Sequence, residues 1–143
     1  MIIANLPLVI DNALPKRVDT MAYYPEYYEE LYEVVDSFEY PSVFYSNLYT
    51  SAFMLANTKQ IFPVSNRDEC AKFLEYYGYY TDAVESKDFS FIDKLDEDVK
   101  YYIYDKYWAK QQGTAEIESN LPYKKIKETE NYIIYDIKTK VTE

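Results

Sequence analysis

Seven carboxylates, those of Asp19, Glu26, Glu29, Glu30, Glu33, Asp36 and Glu39, lie between Asp19 and Thr58 with no Lys or Arg among them. Such groups can do three things: pass protons in pairs, hold a hard cation, or present charge to a basic surface. Proton transfer of the glycoside-hydrolase kind needs two acids flanking a cleft. With two glycines in 143 residues, the chain has little loop from which to build one. Asp93, Asp96 and Asp98 have the close spacing of a calcium loop, but the glycine and the distal bidentate glutamate are missing from their places. Presenting charge needs only exposure.

Other reactive groups are few. The chain has no histidine, which excludes Ser-His-Asp and Cys-His arrangements and His-ligated zinc. Cys70 is the one cysteine, so no internal disulfide forms, and its place on an expected apolar helix face makes it a small core residue. Gly78 and Gly113 cannot form a glycine-rich phosphate loop. The expectation is a non-enzymatic protein that requires no cofactor and no metal.

The elements that must position these residues follow from periodicity. Ile2–Ile10 reads as one or two short strands, and Pro15-Lys16-Arg17 as a turn. Pro25 suits the first position of a helix. Tyr28, Leu31, Val35 and Phe38 then repeat at helical spacing to about Glu39, and Pro41 ends the segment. Val43–Leu55 fits either a helix or a strand. Ser65 and Asp68 resemble an N-cap pair, followed by a face of Cys70, Phe73, Leu74 and Tyr77 and a stop at Gly78. Asp88–Leu95 reads as a turn or short helix. Asp96, Glu97 and Asp98 load the start of another helix, with core face Val99, Tyr102, Ile103 and Tyr107 and an end near Gly113. Tyr123–Glu128 and Tyr132–Lys138 flank Thr129-Glu130-Asn131 as a hairpin. The sum is one small α+β domain over residues 1–143, with three or four helices, short N-terminal strand(s) and a C-terminal β-hairpin.

Composition narrows the partners. The net charge is −10, and residues 1–110 carry 10 basic against 19 acidic residues, whereas 111–143 carry 5 and 6. Phosphate contacts come from Lys and Arg clusters, so direct nucleic-acid binding is not expected, nor is an anionic membrane surface. A basic protein partner fits. Nineteen tyrosines let a chain that is 48% hydrophobic stay compatible with water, since each ring buries area while its hydroxyl is solvated. They also leave a homodimer open. The apolar N-terminus lacks a positive leading region and is broken by Pro7 and Asp11, which favours a core strand over a signal peptide. No run reaches the ~18 apolar residues of a membrane span. The expected compartment is the cytoplasm.

On the first helix Glu26, Glu30 and Glu33 share a face, with Glu29 and Asp36 beside them. Glu26 to Glu33 spans about 10 Å, with neighbouring carboxylates roughly 5–6 Å apart, a scale similar to the phosphates of one DNA strand. No cation at i+4 compensates any of them, and uncompensated like charges cost a helix a few tenths of a kcal/mol per pair. A cost without local gain points to function. A second cluster, Asp82, Glu85, Asp88, Asp93, Asp96, Glu97 and Asp98, is diluted by Lys87 and Lys94 and serves in part as helix capping.

Two stretches resemble the ArdA-type antirestriction proteins of phages and mobile elements. Asp68-Glu69-Cys70-Ala71-Lys72-Phe73-Leu74-Glu75-Tyr76-Tyr77-Gly78 looks like that family's acidic, alanine-containing helix running into a glycine. Leu95-Asp96-Glu97-Asp98-Val99-Lys100-Tyr101-Tyr102-Ile103-Tyr104-Asp105-Lys106-Tyr107-Trp108-Ala109-Lys110 is similar to its helix containing Tyr-Ile-Asp-Tyr and aromatic-Ala-Arg. Departures are the reversed Tyr104-Asp105, Cys70 in place of an aromatic, Lys110 in place of arginine, and Gln111 in place of an acid. The resemblance covers residues 65–110. It implies a DNA mimic that occupies the DNA groove of restriction–modification enzymes, and the wider expectation is an inhibitor that occupies the basic DNA-binding groove of a bacterial defence enzyme, of restriction–modification or CRISPR type. The charge pattern leads to the same expectation. The residues that would carry it are Glu26, Glu29, Glu30, Glu33 and Asp36 as phosphate surrogates, Tyr27, Tyr28 and Tyr32 as rigid anchors, and Asp96, Glu97 and Asp98 as a second patch. The alternative is a viral or mobile-element interaction or assembly module that associates through tyrosine-rich surface without mimicry.

Overall fold

The computed structural model describes residues 25–65 and 70–141. By its contacts the chain divides into two compact units, Met1–Glu30 and Leu31–Glu143. The described part of the first is residues 25–30, where the Pro25 and Glu26 carbonyls accept from the amides of Tyr28 and Glu29 (3.1 and 3.4 Å). The expected strands in Ile2–Ile10, the turn at Pro15-Lys16-Arg17 and the partner Asp68 of the N-cap pair lie outside the described residues. Among the described residues no helix is long and apolar enough to cross a membrane.

The architecture is α+β, with five α-helices and a four-stranded sheet among the described residues. Helix α1 (Tyr28–Asp36) is shorter than expected at both ends. Pro25 lies in the turn before it, and Phe38 falls beyond it. Tyr28, Leu31 and Val35 are fully buried, so the apolar stripe is as read for these three, while Phe38 is half-buried. The helix ends on neither a glycine nor a cation. Instead the buried Gln60 amide donates to the Val35 and Phe38 carbonyls (3.2 and 3.0 Å) and accepts from the Ser42 amide (2.9 Å). One side chain thus satisfies acceptors that every helix end leaves open.

The ambiguous segment contains both elements. Strand β1 (Val43–Tyr45) is followed after two residues by α2 (Leu48–Asn57), whose start is fixed by Asn47 accepting from the Thr50 amide at 2.9 Å. The inward face of α2 is Thr50, Ser51 and Met54, while Ala52 and Leu55 face solvent. Hydrophobic spacing could not find a buried face that is two-thirds hydroxyl.

Helix α3 (Cys70–Ser86) corrects the next expectation. It runs through Gly78, burying Tyr76, Tyr80 and Ala83, and leaves Leu74 and Tyr77 exposed. The true end is at Lys87, which adopts the left-handed conformation (φ 63°) while its amide donates to the Ala83 carbonyl at 2.7 Å. The two glycines therefore respond oppositely to alanine. A Cβ on Gly78 would meet nothing within 4 Å, so Gly78→Ala should stabilise the fold by about 0.5–1 kcal/mol. Gly113 caps the helix before it at φ 77°, so Gly113→Ala should cost about 1 kcal/mol. Urea midpoints of the two variants should move in opposite directions.

A short 3₁₀ turn (Ser90–Lys94) matches the connecting element expected there. The segment after it does not form the expected single helix. Val99–Asp105 is strand β2, and only Lys106–Gln112 is helical (α4). Val, Ile and three tyrosines suit a pleated strand, and burial of residues 102–105 on both faces removes the alternation that would have revealed it. Asp105 makes the switch without a loop: its carboxylate accepts from the Tyr107 amide at 3.2 Å and caps α4. Lys106 consequently opens α4, whereas Lys110 lies in its last turn. Helix α5 (Ala115–Glu118) precedes the hairpin, which forms as expected from β3 (Tyr123–Glu128) and β4 (Tyr132–Lys140).

The strand order is β1-β2-β4-β3, with β1 parallel to β2 and the other pairs antiparallel. The core lies on the central strands β2 and β4. Tyr45, Tyr76, Tyr102 and Tyr135 are its largest buried rings, and Val99, Ile133 and Ile137 fill between them.

Candidate functional site

The acidic groups of α1 and its leading turn are placed by the buried Tyr28, Leu31 and Val35. With that stripe inward, Glu26, Glu29, Glu30 and Glu33 are all exposed. Glu29 and Glu30 lie in the first turn, where the helix dipole favours negative charge. Among the described residues no lysine or arginine pairs with Glu26, Glu29 or Glu33. Asp36 has a structural use: one carboxylate oxygen accepts from the Lys59 amide at 2.9 Å, tying the helix end to the segment that carries Gln60. Of the three expected anchors, Tyr27 stands edge-on to Tyr28 at 5.3 Å, and the Tyr32 hydroxyl accepts from the Asn57 side-chain Nδ2 at 3.0 Å. Tyr28 is fully buried and presents no surface to a partner. Its position in the i, i+3, i+7 stripe was the sign that it belongs inside.

Asp96, Glu97 and Asp98 are exposed, but they form the turn into β2 and not the start of a helix; the Val99 amide donates to the Asp96 carbonyl at 3.0 Å. Lys138 reaches the same carbonyl at 3.5 Å. Asp93 is drawn into a tie between the 3₁₀ turn and the hairpin, accepting from the Tyr123 hydroxyl (2.7 Å) and Lys140 (2.9 Å). Those two donors hold its carboxyl below the usual range. This patch is therefore edged by lysines, whereas among the described residues none pairs with Glu26, Glu29 or Glu33. Among the described residues no group of three or more acids and thiols is arranged to hold a metal ion.

Two buried acids escaped the sequence reading. Glu118 is 2% exposed. One of its oxygens accepts from the Tyr102 hydroxyl at 2.6 Å, and the other from Thr114 at 2.5 Å and Tyr80 at 3.1 Å. Its backbone carbonyl accepts from the Tyr135 hydroxyl at 2.6 Å. One residue thus joins α3, α5, β2 and β4. Asp105, equally buried, accepts from the Thr50 hydroxyl at 2.8 Å, which explains Thr50 on the inner face of α2, while Ser51 beside it bonds to Ser46. Nothing local separates the buried Glu118 from the exposed Glu116 two residues earlier, so the signal lies in the tertiary structure alone.

Burial pushes the Glu118 carboxyl above its ordinary value, outweighing the three hydroxyl donors that pull it down. The folded state therefore holds this proton more tightly than the unfolded chain. Its contribution to stability is full below the unfolded pKa of about 4.3 and is lost as pH rises through the folded value. Glu118→Gln keeps the shape and removes the titration. The stability of wild type relative to Glu118→Gln should fall as pH rises from about 4 upward, read as urea midpoints across a pH series.

No family model, curated protein or solved structure matches the chain.

Proposed function

We propose that the chain is a non-enzymatic inhibitor that imitates duplex DNA and occupies the basic groove of a bacterial defence enzyme, of restriction–modification or CRISPR type, in the host cytoplasm. The observation that carries this is the exposure of Glu26, Glu29, Glu30 and Glu33 on a segment, Asp19 to Thr58, that contains no cation. Fixed on a helix and the turn that leads into it, these carboxylates can meet the Arg and Lys of a DNA channel in charge-assisted hydrogen bonds without paying for flexible side chains on both sides. Asp96, Glu97 and Asp98 supply a second, weaker patch. The chain's −10 charge adds long-range attraction and fast association.

The testing experiment is displacement of labelled duplex from a restriction–modification complex and from a CRISPR effector complex. Displacement that weakens as salt rises supports mimicry. No displacement at low salt from either class removes the proposal. The second reading, association through tyrosine-rich surface, draws on the exposed Tyr40, Tyr49 and Tyr77. It is weakened because nine tyrosines of the described residues are buried. It requires binding that salt leaves unchanged or tightens.

A further inference from the structure

A cavity of about 320 Å³ opens where the start of α2, the middle of α3 and the end of α4 converge. Its volume falls at the lower end of the range for small-molecule sites. No residue of α1 lines it, so it is separate from the charged helix proposed above.

Its lining is uncharged: Leu48, Tyr49, Tyr77, Tyr80 and Val84 supply rings and aliphatic wall, with Asn47, Thr81 and Gln112 as the polar members. Most of that polarity is already spent inside the protein. Asn47 is committed to Thr50 through both ends of its amide. Thr81 donates to the Tyr77 carbonyl at 2.9 Å. The Tyr80 hydroxyl is held by the buried Glu118, which leaves its ring for the cavity. Tyr49 is stacked on Trp108 at 4.6 Å and 18° between planes, so its ring is held in place although 45% exposed. The Gln112 carboxamide differs from these. Half-buried at the last position of α4, it makes no hydrogen bond among the described residues. It offers one donor and one acceptor side by side.

Tyrosine faces select planar rings. A paired donor and acceptor matches the edge of an amide-like heterocycle, as glutamine matches adenine. The lack of a cation in the lining, together with the net charge of −10, selects against a phosphate. We propose that this cavity binds a small uncharged planar heterocycle with the size and edge chemistry of a nucleobase or nucleoside.

Trp108 is the single tryptophan and stacks on a wall of the cavity, so its fluorescence is the natural reporter. Adenosine titrated into the full chain should give a saturable change, and adenosine monophosphate should bind more weakly. Gln112→Ala should weaken adenosine by about tenfold. Val84→Phe, which fills the cavity from α3, should abolish the response while the circular dichroism spectrum is retained. Should Val84→Phe fail to fold, Thr81→Leu is the second filling variant, on the same helix and at the exposed rim. Absence of a saturable response to adenosine, equal binding of the monophosphate, or a response undiminished in both Gln112→Ala and a folded filling variant overturns the proposal.

Discussion

Glu118→Ala should lower the stability of the fold by about 3–5 kcal/mol. The side chain is the common acceptor of three hydroxyls, on Tyr102, Tyr80 and Thr114, and all three residues are buried. Alanine leaves each hydroxyl without its acceptor, at roughly 1–3 kcal/mol apiece, and opens a void where four elements meet. Relief of a buried charge offsets part of this cost. A domain of this size has about 5–15 kcal/mol in total, so the variant should unfold at a much lower urea concentration or be largely unfolded in water. Glu118→Gln should be far milder, since tyrosine and threonine hydroxyls can turn to accept from its amide. Equal losses for the two variants would mean that the carboxylate as acceptor, and not the volume of the side chain, is what Glu118 contributes. A loss below about 1 kcal/mol for alanine would mean that the hydroxyls find other partners.

The second large effect is on binding. Changing Glu26, Glu30 and Glu33 together to glutamine should weaken association with the basic partner by about a hundredfold at low salt. Each glutamine keeps a neutral acceptor and loses the charge, which costs about 1 kcal/mol at a charge-assisted hydrogen bond, or about 3 kcal/mol for three. Within α1 the local terms should nearly cancel. Glu30 gives up a favourable place in the first turn of α1, while the like-charge pairs at i, i+3 and i, i+4 are relieved. These terms are of similar size and opposite sign. The same substitution at Asp36 is a poor test, because Asp36 also holds the Lys59 amide.

How far these features could be read from the residues depends on where the controlling interaction lies. The apolar stripe of α1, the hairpin and the glycine stop at Gly113 are local patterns, and each appears as expected. Strand β2 was hidden because a central strand buried on both faces has no period of two, and Val99, Tyr102 and Ile103 happen to fall at helical spacing. The register of α3 was misread because Gly78 resembles a stop, while Tyr76, Tyr80 and Ala83 owe their burial to the core cluster they join. Thr50 on the inner face of α2 depends on Asp105, 55 residues away. For the charged site, exposure of the α1 glutamates follows from the stripe opposite them and was legible. Burial of Tyr28 was legible from that stripe too, and it removes one of the three proposed anchors.

The central claim is that the glutamates of α1 stand in for phosphates, and the salt dependence of affinity tests it most directly. Affinity for a restriction–modification or CRISPR complex should be measured from low to moderate ionic strength for wild type and for the Glu26/Glu30/Glu33 triple glutamine variant. A DNA mimic gives a steep fall for wild type and a shallower one for the variant, with the two curves converging as salt rises. Parallel curves, or a wild-type affinity that salt does not change, would contradict the claim and return the binding role to the tyrosine surface.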